Sequence, residues 1–132
     1  MKKAGVLNGD LSRLIAEMGH HDTILIGDAG MPVPKGVLLI DLALTKGVPS
    51  FAQTLEAVLT ELHAEEGIIG IEMDEVSPHM RREVEKIVND QFILRVVTHE
   101  ELKEMSKDCK AVIRTGEFTP YSNIILKSGV LF

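Results

Sequence analysis

Short aliphatic runs alternate with amphipathic segments along this chain, and that alternation constrains its fold more than any other feature. The runs predicted to be strands are 23–27, 37–42, 67–73, 92–97, 111–116 and 123–126. Segments with apolar residues at helical spacing accompany them, and they begin near Asp10, Ser50, Ser77 and Thr98. Strands that alternate with helices are typical of an α/β protein with a largely parallel sheet.

We therefore expect one domain over residues 1–132, built as a three-layer sandwich. It should contain a mostly parallel sheet of about six strands, with helices on both faces. The run 67–73 is apolar on both faces, which predicts a central strand of a parallel sheet. The loop between the last two strands is too short for a crossover helix, so we expect an antiparallel edge there.

Polar residues at the predicted helix starts support these boundaries. Ser50 and Gln53 have the spacing of a capping box, and so do Thr98 and Glu101. Ser77 comes directly before a proline, which predicts a helix that begins with a serine cap.

Composition excludes several classes of function. The chain has a net charge of −6, one tyrosine, four phenylalanines and no tryptophan. Nucleic-acid binding needs a basic surface or aromatic stacking platforms, so we exclude a nucleic-acid partner. No apolar run reaches the length of about 20 residues that a membrane-spanning helix requires, so we expect no membrane partner.

Cys109 is the only cysteine, which excludes an internal disulfide and fits a reducing compartment. We interpret it as a small, half-buried residue at a strand entrance and not as a nucleophile. The first residues contain two lysines with no apolar segment behind them, unlike a secretory signal. We therefore expect a cytoplasmic protein.

The stretch 19–34 holds the first candidate site. Its strand has His20 and His21 before it, and Asp28 directly after it. Open α/β sheets usually place ligands just beyond the carboxyl ends of their strands, which makes Asp28 the leading candidate. An aspartate that only stabilises its own turn is the alternative interpretation.

Two further regions carry polar residues that a fold alone does not require. His99 lies in a predicted first helical turn, and a neutral imidazole there donates one hydrogen bond and accepts another. Tyr121 lies in the loop after the fifth predicted strand and Asn123 begins the sixth, and they add a phenol and an amide. Carboxylate, imidazole, phenol and amide groups together are typical of a sugar-binding site. Arg114 and Glu117, in contrast, fit an ordinary ion pair across a bend.

Metal binding has to be considered because histidine and carboxylate side chains are metal ligands. The histidines show no His-x-x-x-His spacing on a predicted helix, and no pair of cysteines is present. Gly-rich phosphate-binding motifs are also absent. We therefore expect no metal and no cofactor.

Three ordered motifs resemble those of the D-ribose pyranase and fucose mutarotase family, over essentially the whole chain. The motifs are Gly19-His20 with Asp28-Ala29-Gly30 and Pro32-Val33-Pro34, then His99-Glu100-Glu101, then Arg114-Thr115-Gly116-Glu117 with Thr119-Pro120-Tyr121 and Asn123. The Asp-Ala-Gly-x-Pro-Val-Pro segment resembles the ribose branch more than the fucose branch.

The resemblance implies an enzyme that interconverts the pyranose and furanose forms of D-ribose, in the cytoplasm, alongside ribose uptake and before phosphorylation. It implies that His20 is the general acid. The residues implied to hold the sugar are Asp28, His99, Tyr121, Ser122 and Asn123, with Ser122 contributing through its backbone. His21 stands beside His20 where a less reactive residue is expected, so which imidazole is the acid stays open.

The family also implies a ring-shaped homo-oligomer, an octamer or a decamer.

The spacing of His20 and Asp28 adds a geometric expectation. They flank the strand 23–27, whose residues at roughly 3.3 Å each separate them by about 15–20 Å. Both cannot touch one small sugar within one subunit, so we expect sites completed between subunits. A fucose-type mutarotase, a non-catalytic sugar-binding protein and a structural oligomer remain the alternatives.

Overall fold

A six-stranded mixed sheet forms the centre of the computed structural model, which describes residues 1–132. The strands are β1 (Thr23–Gly27), β2 (Leu38–Asp41), β3 (Ala64–Gly70), β4 (Ile93–Val97), β5 (Ala111–Arg114) and β6 (Ile124–Ser128). The helices are α1 (Gly9–Ala16), α2 (Phe51–Leu59), α3 (Ile71–Val76), α4 (Pro78–Val88) and α5 (His99–Met105), with a 3₁₀ turn at Ser106–Asp108. None of the helices is both long enough and apolar enough to cross a membrane.

The strands follow the order β2-β5-β1-β6-β3-β4 across the sheet. Five of them run in one direction, and β6 runs antiparallel to both of its neighbours, β1 and β3. The predicted α/β class with a mostly parallel six-stranded sheet is therefore confirmed. The place of the antiparallel strand differs from the expectation, because β6 lies inside the sheet and β2 and β4 form its edges.

The loop 115–123 explains why β6 lies inside the sheet. The backbone N–H and the hydroxyl of Thr115 both donate to the carbonyl of Gly27, at 3.0 and 2.8 Å. The N–H of Ala29 donates to the carbonyl of Glu117 at 2.9 Å. These bonds carry the loop across the carboxyl end of β1, so that the chain enters β6 on the far side of that strand. Even a short loop can step over one strand, because neighbouring strands lie only about 4.8 Å apart.

Alternate residues of the strands fill two hydrophobic layers, one on each face of the sheet. Ile24 and Ile26 of β1 are fully buried in the layer that also contains apolar residues of α1, α2 and α4. Leu25 lies between them in sequence and packs in the other layer, with Leu102 of α5. This alternation follows from the strand geometry, in which successive side chains point to opposite faces. Helices therefore cover both faces, as predicted.

Cys109 packs as a hydrophobic residue in the same layer as Leu25 and Leu102. It is buried, and burial raises the pKa of its thiol. The thiol is therefore protonated at neutral pH and inert as a nucleophile. The structural interpretation of this residue holds, although it is more deeply buried than expected.

The third strand ends earlier than predicted. β3 stops at Gly70, and the remainder of the predicted strand 67–73 forms the start of α3. A short apolar run does not by itself distinguish a strand from a buried helical turn. Two acidic residues in the first turn of α3, Glu72 and Asp74, favour a helix start because they complement the helix dipole.

Both predicted capping boxes are present. Gln53 donates its backbone N–H to the Ser50 hydroxyl at 3.1 Å, and its side chain accepts the Ser50 N–H at 2.9 Å. Thr98 and Glu101 form the same reciprocal pair at the start of α5. Each box satisfies N–H groups that the first turn of a helix leaves unpaired.

Ser77 precedes α4 as predicted but does not cap it through its side chain. Its buried hydroxyl instead donates to the carbonyl of Pro120 at 2.8 Å. A buried hydroxyl needs a partner, and this one finds it outside its own helix. The bond ties the junction of α3 and α4 to the loop 115–123.

Leu55→Ala should lower the free energy of unfolding by about 2–5 kcal/mol, because Leu55 of α2 is fully buried against the sheet and its loss leaves a cavity. Urea denaturation followed by circular dichroism measures the change. Glu56→Ala is the matched control, since Glu56 is exposed on the same helix and its replacement should cost less than about 0.5 kcal/mol. Equal losses in the two variants would contradict this assignment of the buried helix face.

Candidate active site

One end of the sheet gathers most of the predicted site residues. The five parallel strands finish at this end, and the antiparallel β6 begins there. Asp28 follows β1, His99 starts the helix after β4, and Asn123 directly precedes β6. We call this the carboxyl end of the sheet. Polar residues that are distant in sequence meet there because of the strand directions alone.

Asp28 and Asn123 form a reciprocal pair at this end. The N–H of Asp28 donates to Asn123 Oδ1, and Asn123 Nδ2 donates to Asp28 Oδ2, both at 2.9 Å. The other carboxylate oxygen of Asp28 accepts the N–H of Gly30 at 2.9 Å. Asn123 is buried, whereas Asp28 is partly exposed. The carboxylate is therefore fixed in orientation, and its remaining lone pairs are available to hydroxyl groups of a ligand.

Gly27 is required by this arrangement. A Cβ at this position would stand 2.9 Å from Asn123 Oδ1 and 2.9 Å from the Cβ of Met31. Both distances are shorter than real Cβ contacts allow, so a side chain at Gly27 would push the amide away from Asp28. The glycine before Asp28 is thus explained by close approach and not by a special backbone angle.

Tyr121 and His99 form an aromatic pair at the same end of the sheet. Their ring centroids are 5.0 Å apart and the planes meet at 82°, an edge-to-face contact. Tyr121 has a positive φ of 62°, and its carbonyl accepts the N–H of Asn123 at 2.9 Å. The backbone N–H of His99 donates to Glu72 Oε2 at 2.8 Å. Both rings are partly exposed, so they offer an aromatic wall and two polar groups to a ligand.

Ser122 is fully buried, and its hydroxyl has no hydrogen-bond partner within the protein. The role of Ser122 toward a sugar therefore stays a prediction.

Glu117 has a structural role that the sequence did not reveal. Its Oε1 accepts the N–H of Phe51 at the start of α2, at 3.1 Å. Its Oε2 accepts the hydroxyl of Thr119 at 2.9 Å. The ion pair expected between Arg114 and Glu117 is absent, because Arg114 instead forms two hydrogen bonds with Asp41 of β2. Glu117 therefore holds the loop in place and does not neutralise Arg114.

A cleft of about 360 Å³ opens between this loop and the turn after β1. It is lined by Asp28, Ala29, Gly30, Glu117, Phe118, Thr119 and Pro120. Small-molecule sites are commonly 300–1,000 Å³ in volume, so the cleft has the size of a small ligand such as a monosaccharide. Phe118 on its rim is largely exposed.

His20 lies at the opposite end of the sheet, before β1. Its Nε2 is 3.1 Å from Glu65 Oε2, and His21 Nε2 is 3.3 Å from Glu65 Oε1. Glu65 also contacts Lys127 Nζ at 3.3 Å. The strand between His20 and Asp28 is straight and paired on both sides, and it separates these two ends by about 16 Å. The structure therefore pairs Asp28 with Asn123 and His99 with Tyr121 at one end of the sheet, and it keeps His20 apart from both pairs.

The same three side chains, His20, His21 and Glu65, are the group in this structure whose ligand atoms are close enough to hold a metal ion, all within 4.8 Å of one another. Residue spacing does not predict this group, because Glu65 reaches it across the sheet from β3. The ammonium of Lys127 lies 3.3 Å from Glu65 Oε1, so a divalent ion bound by this group would have a positive charge as its neighbour.

Comparison with known proteins gives a consistent result over the full chain. Residues 1–131 match the model of the RbsD / FucU transport protein family. A D-ribose pyranase from Clostridium perfringens is 54% identical and one from Coprothermobacter proteolyticus 55% identical, each over 132 residues and 100% of both chains. A D-ribose pyranase from Pseudomonas syringae is 52% identical over 134 residues, again with 100% of both chains covered.

Solved structures agree with the sequence matches. Bacillus subtilis RbsD complexed with D-ribose superposes with a TM-score of 0.95 at 47% identity, with 100% of both chains covered. The fucose mutarotase of Streptococcus pneumoniae in complex with L-fucose gives a TM-score of 0.81 at 23% identity, over 96% of this chain and 95% of that one. The second likeness extends to the fold alone.

Asn123→Asp should make stability fall as pH rises. Two carboxylates would then face each other at the 2.9 Å contact, so the pKa of one is raised above its unfolded value. A raised carboxyl pKa costs no stability below the unfolded value of about 4, and the cost grows as pH rises above it. We expect a loss of about 1–3 kcal/mol near neutral pH. Urea titrations at several pH values between about 4 and 8 measure it.

Asn8→Asp is the control for this substitution. Asn8 caps α1 through its side chain, and aspartate caps a helix about as well as asparagine. Its stability should therefore stay close to that of the wild type and should not fall with rising pH. A loss in Asn123→Asp that is the same at every pH would contradict the proposed pairing of the two carboxylates.

Proposed function

This chain belongs to the RbsD / FucU transport protein family, and on that premise we propose that it is a sugar-ring isomerase that interconverts the pyranose and furanose forms of D-ribose. The observation that carries the proposal is identity of 52–55% to D-ribose pyranases over the whole of both chains. The polar groups at the carboxyl end of the sheet suit a polyhydroxyl ligand, which supports the same function.

Ribose is favoured over fucose as the substrate. The relative solved with D-ribose is 47% identical to this chain, whereas the relative solved with L-fucose is 23% identical. The fold is shared by both, so it does not distinguish the sugars. Identity at this level over the full length favours the ribose activity.

The proposed reaction opens and recloses a cyclic hemiacetal. A proton goes to the ring oxygen and another leaves the anomeric hydroxyl, and ring closure by a different hydroxyl reverses both transfers. We propose that His20 is the general acid, while Asp28, His99, Tyr121, Asn123 and the Ser122 backbone hold the sugar. The free sugar already reacts slowly in water, so a positioned acid and base that add about 10²–10⁴ in rate are sufficient without metal, cofactor or covalent intermediate.

The separation of His20 from Asp28 supports sites shared between subunits. The acid and the sugar-binding groups lie at opposite ends of one sheet, so we propose that His20 of one subunit meets Asp28 of another. Both edge strands carry exposed apolar side chains, namely Leu38 (56%) and Leu39 (37%) on β2, and Ile93 (74%) and Val96 (39%) on β4. Exposed apolar edges are sites at which chains associate. We propose a ring-shaped homo-oligomer, an octamer or a decamer.

The proposed location is the cytoplasm. There the enzyme would act on ribose after uptake and before phosphorylation, with the free sugar as its partner. The single unpaired Cys109, buried in the core, is compatible with a reducing compartment.

Purified wild-type protein should accelerate exchange between the ring forms of D-ribose, because His20 supplies the proton that ring opening needs. Saturation-transfer NMR on equilibrated sugar measures the exchange, and an enhancement of about 10²–10⁴ over buffer is the expected range. His20→Ala should remove most of it. His79→Ala is the control, since His79 is an exposed histidine to which the proposal gives no role.

Three results of this measurement would contradict the proposal. Exchange no faster than in buffer would exclude the isomerase, and ribose binding without faster exchange would indicate a sugar-binding protein. Faster exchange of L-fucose than of D-ribose would assign the chain to the fucose type.

Mixed oligomers test the shared site. His20→Ala and Asp28→Asn should each be nearly inactive alone, because every shared site lacks one group. Oligomers refolded from an equal mixture should recover roughly a quarter of wild-type activity, since random pairing leaves about that share of interfaces with both native residues. Activity of the mixture is measured by the same NMR exchange.

The control mixture combines His20→Ala with a His20→Ala, Asp28→Asn double variant, which cannot form a complete interface. Recovery in this control, or no recovery in the test mixture despite normal oligomer size, would contradict sites shared between subunits.

A further inference from the structure

Glu65 contacts the proposed acid, His20, directly. It is the second residue of β3, and its two carboxylate oxygens face different imidazoles. Oε2 is 3.1 Å from His20 Nε2, and Oε1 is 3.3 Å from His21 Nε2. Oε1 also lies 3.3 Å from Lys127 Nζ, on the neighbouring strand β6. Both oxygens are therefore engaged, and the carboxylate is held on three sides.

The backbone holds the two histidines in this position. His21 has a positive φ of 71°, a conformation that is unfavourable for a side chain with a Cβ. Its N–H donates to the carbonyl of Ser128 at 2.9 Å, and the N–H of Ser128 donates to the carbonyl of Asp22 at 2.8 Å. These bonds fasten the turn to the end of β6, which pairs with β3. The strained turn thus brings both imidazoles to one carboxylate.

The charges around the carboxylate define its electrostatic role. Burial alone would raise the pKa of Glu65, but hydrogen bonds from His20 and Lys127 outweigh it and hold that pKa below the ordinary value. Glu66 points elsewhere and pairs with Arg95 of β4 at 2.8 Å, while lying 4.0 Å from Lys127. Among the charged groups that face the imidazoles, Glu65 is thus the anion in hydrogen-bond contact. This carboxylate is the counter-ion available to either ring when the ring carries a proton.

We propose that Glu65 is a positioning residue that orients the His20 imidazole through Nε2 and is the counter-ion of that ring when it carries a proton. With Nε2 bonded to the carboxylate, Nδ1 is the nitrogen of His20 that remains to face a sugar. This inference rests on the proposed function, because it needs His20 as the acid. It also gives His21 a role, since the second imidazole shares the same carboxylate and limits how strongly it binds the first.

Glu65→Gln tests the proposal, because glutamine keeps the size of the side chain and removes its charge. We expect the kcat for ribose ring exchange to fall about tenfold, with KM unchanged because Glu65 does not contact the sugar. The alkaline limb of the pH–rate profile should move to lower pH by about one unit, since the imidazolium loses its counter-ion. Glu65→Asp keeps the charge and should restore the position of that limb.

Glu66→Gln is the matched control. It removes a carboxylate from the adjacent residue of the same strand, whose partner is Arg95 and not an imidazole. The rate and the pH profile should both stay at wild-type values. A pH limb that moves equally in Glu65→Gln and Glu66→Gln would overturn the proposal, because the effect would then be one of net charge.

A second readout separates this inference from the proposed function. Proton NMR of the ligand-free protein follows the titration of the His20 imidazole, assigned by its loss in His20→Ala. Its midpoint should fall by about one pH unit in Glu65→Gln and rise in Lys127→Gln, which removes the competing cation. If the wild type shows no ribose exchange, the proposed function fails, and the catalytic role of Glu65 fails with it. The titration would still show whether Glu65 interacts electrostatically with the His20 imidazole. If exchange is normal but neither the midpoint nor the pH limb moves in Glu65→Gln, the positioning role alone is overturned.

Discussion

The insertion of β6 between β1 and β3, antiparallel to both, is the constraint on which the rest of the structure depends. Its first residue follows Asn123, whose amide meets Asp28 at the carboxyl end of the sheet. Its last residues, Lys127 and Ser128, meet Glu65 and the backbone of His21 at the other end. One buried strand therefore fixes both polar clusters and sets the distance between them. If β6 ran parallel to its neighbours, Asn123 would lie at the His20 end of the sheet and Lys127 at the Asp28 end.

Backbone strain is concentrated at the same two clusters. Four non-glycine residues have positive φ, and two of them, Asn89 and Asp90, follow a helix, where asparagine and aspartate adopt this conformation readily. The other two are His21 and Tyr121, whose side chains gain nothing locally from a left-handed backbone. His21 is held by a hydrogen bond to Ser128 of β6, and Tyr121 by one from Asn123, the residue before β6. Such strain persists only where surrounding contacts enforce it, and here it aims an imidazole and a phenol.

The elements that depend on local patterns could be predicted from the sequence, and those that depend on the path of a loop could not. The strand Thr23–Gly27 and both capping boxes follow from residue type and spacing, so the structure agrees with them to the residue. The place of β6 follows from bonds between Thr115 and Gly27, which no periodicity reveals. Glu65 and Glu117 were missed for the same reason, since their partners lie far away in sequence. That Asp28 and Asn123 lie at one edge of the sheet was predictable, because both follow strands of one direction, β1 and β5, along the chain.

The separation of the two clusters bears directly on how the proposed chemistry is possible. Proton transfer needs donor and acceptor within about 3 Å, whereas β1 holds His20 and Asp28 about 16 Å apart. Bending β1 to close this gap would break its pairing with β5 and β6 and expose Ile24 and Ile26, which are fully buried. A second subunit can supply the missing group without disturbing either strand. Association is therefore the less costly way to complete the proposed site.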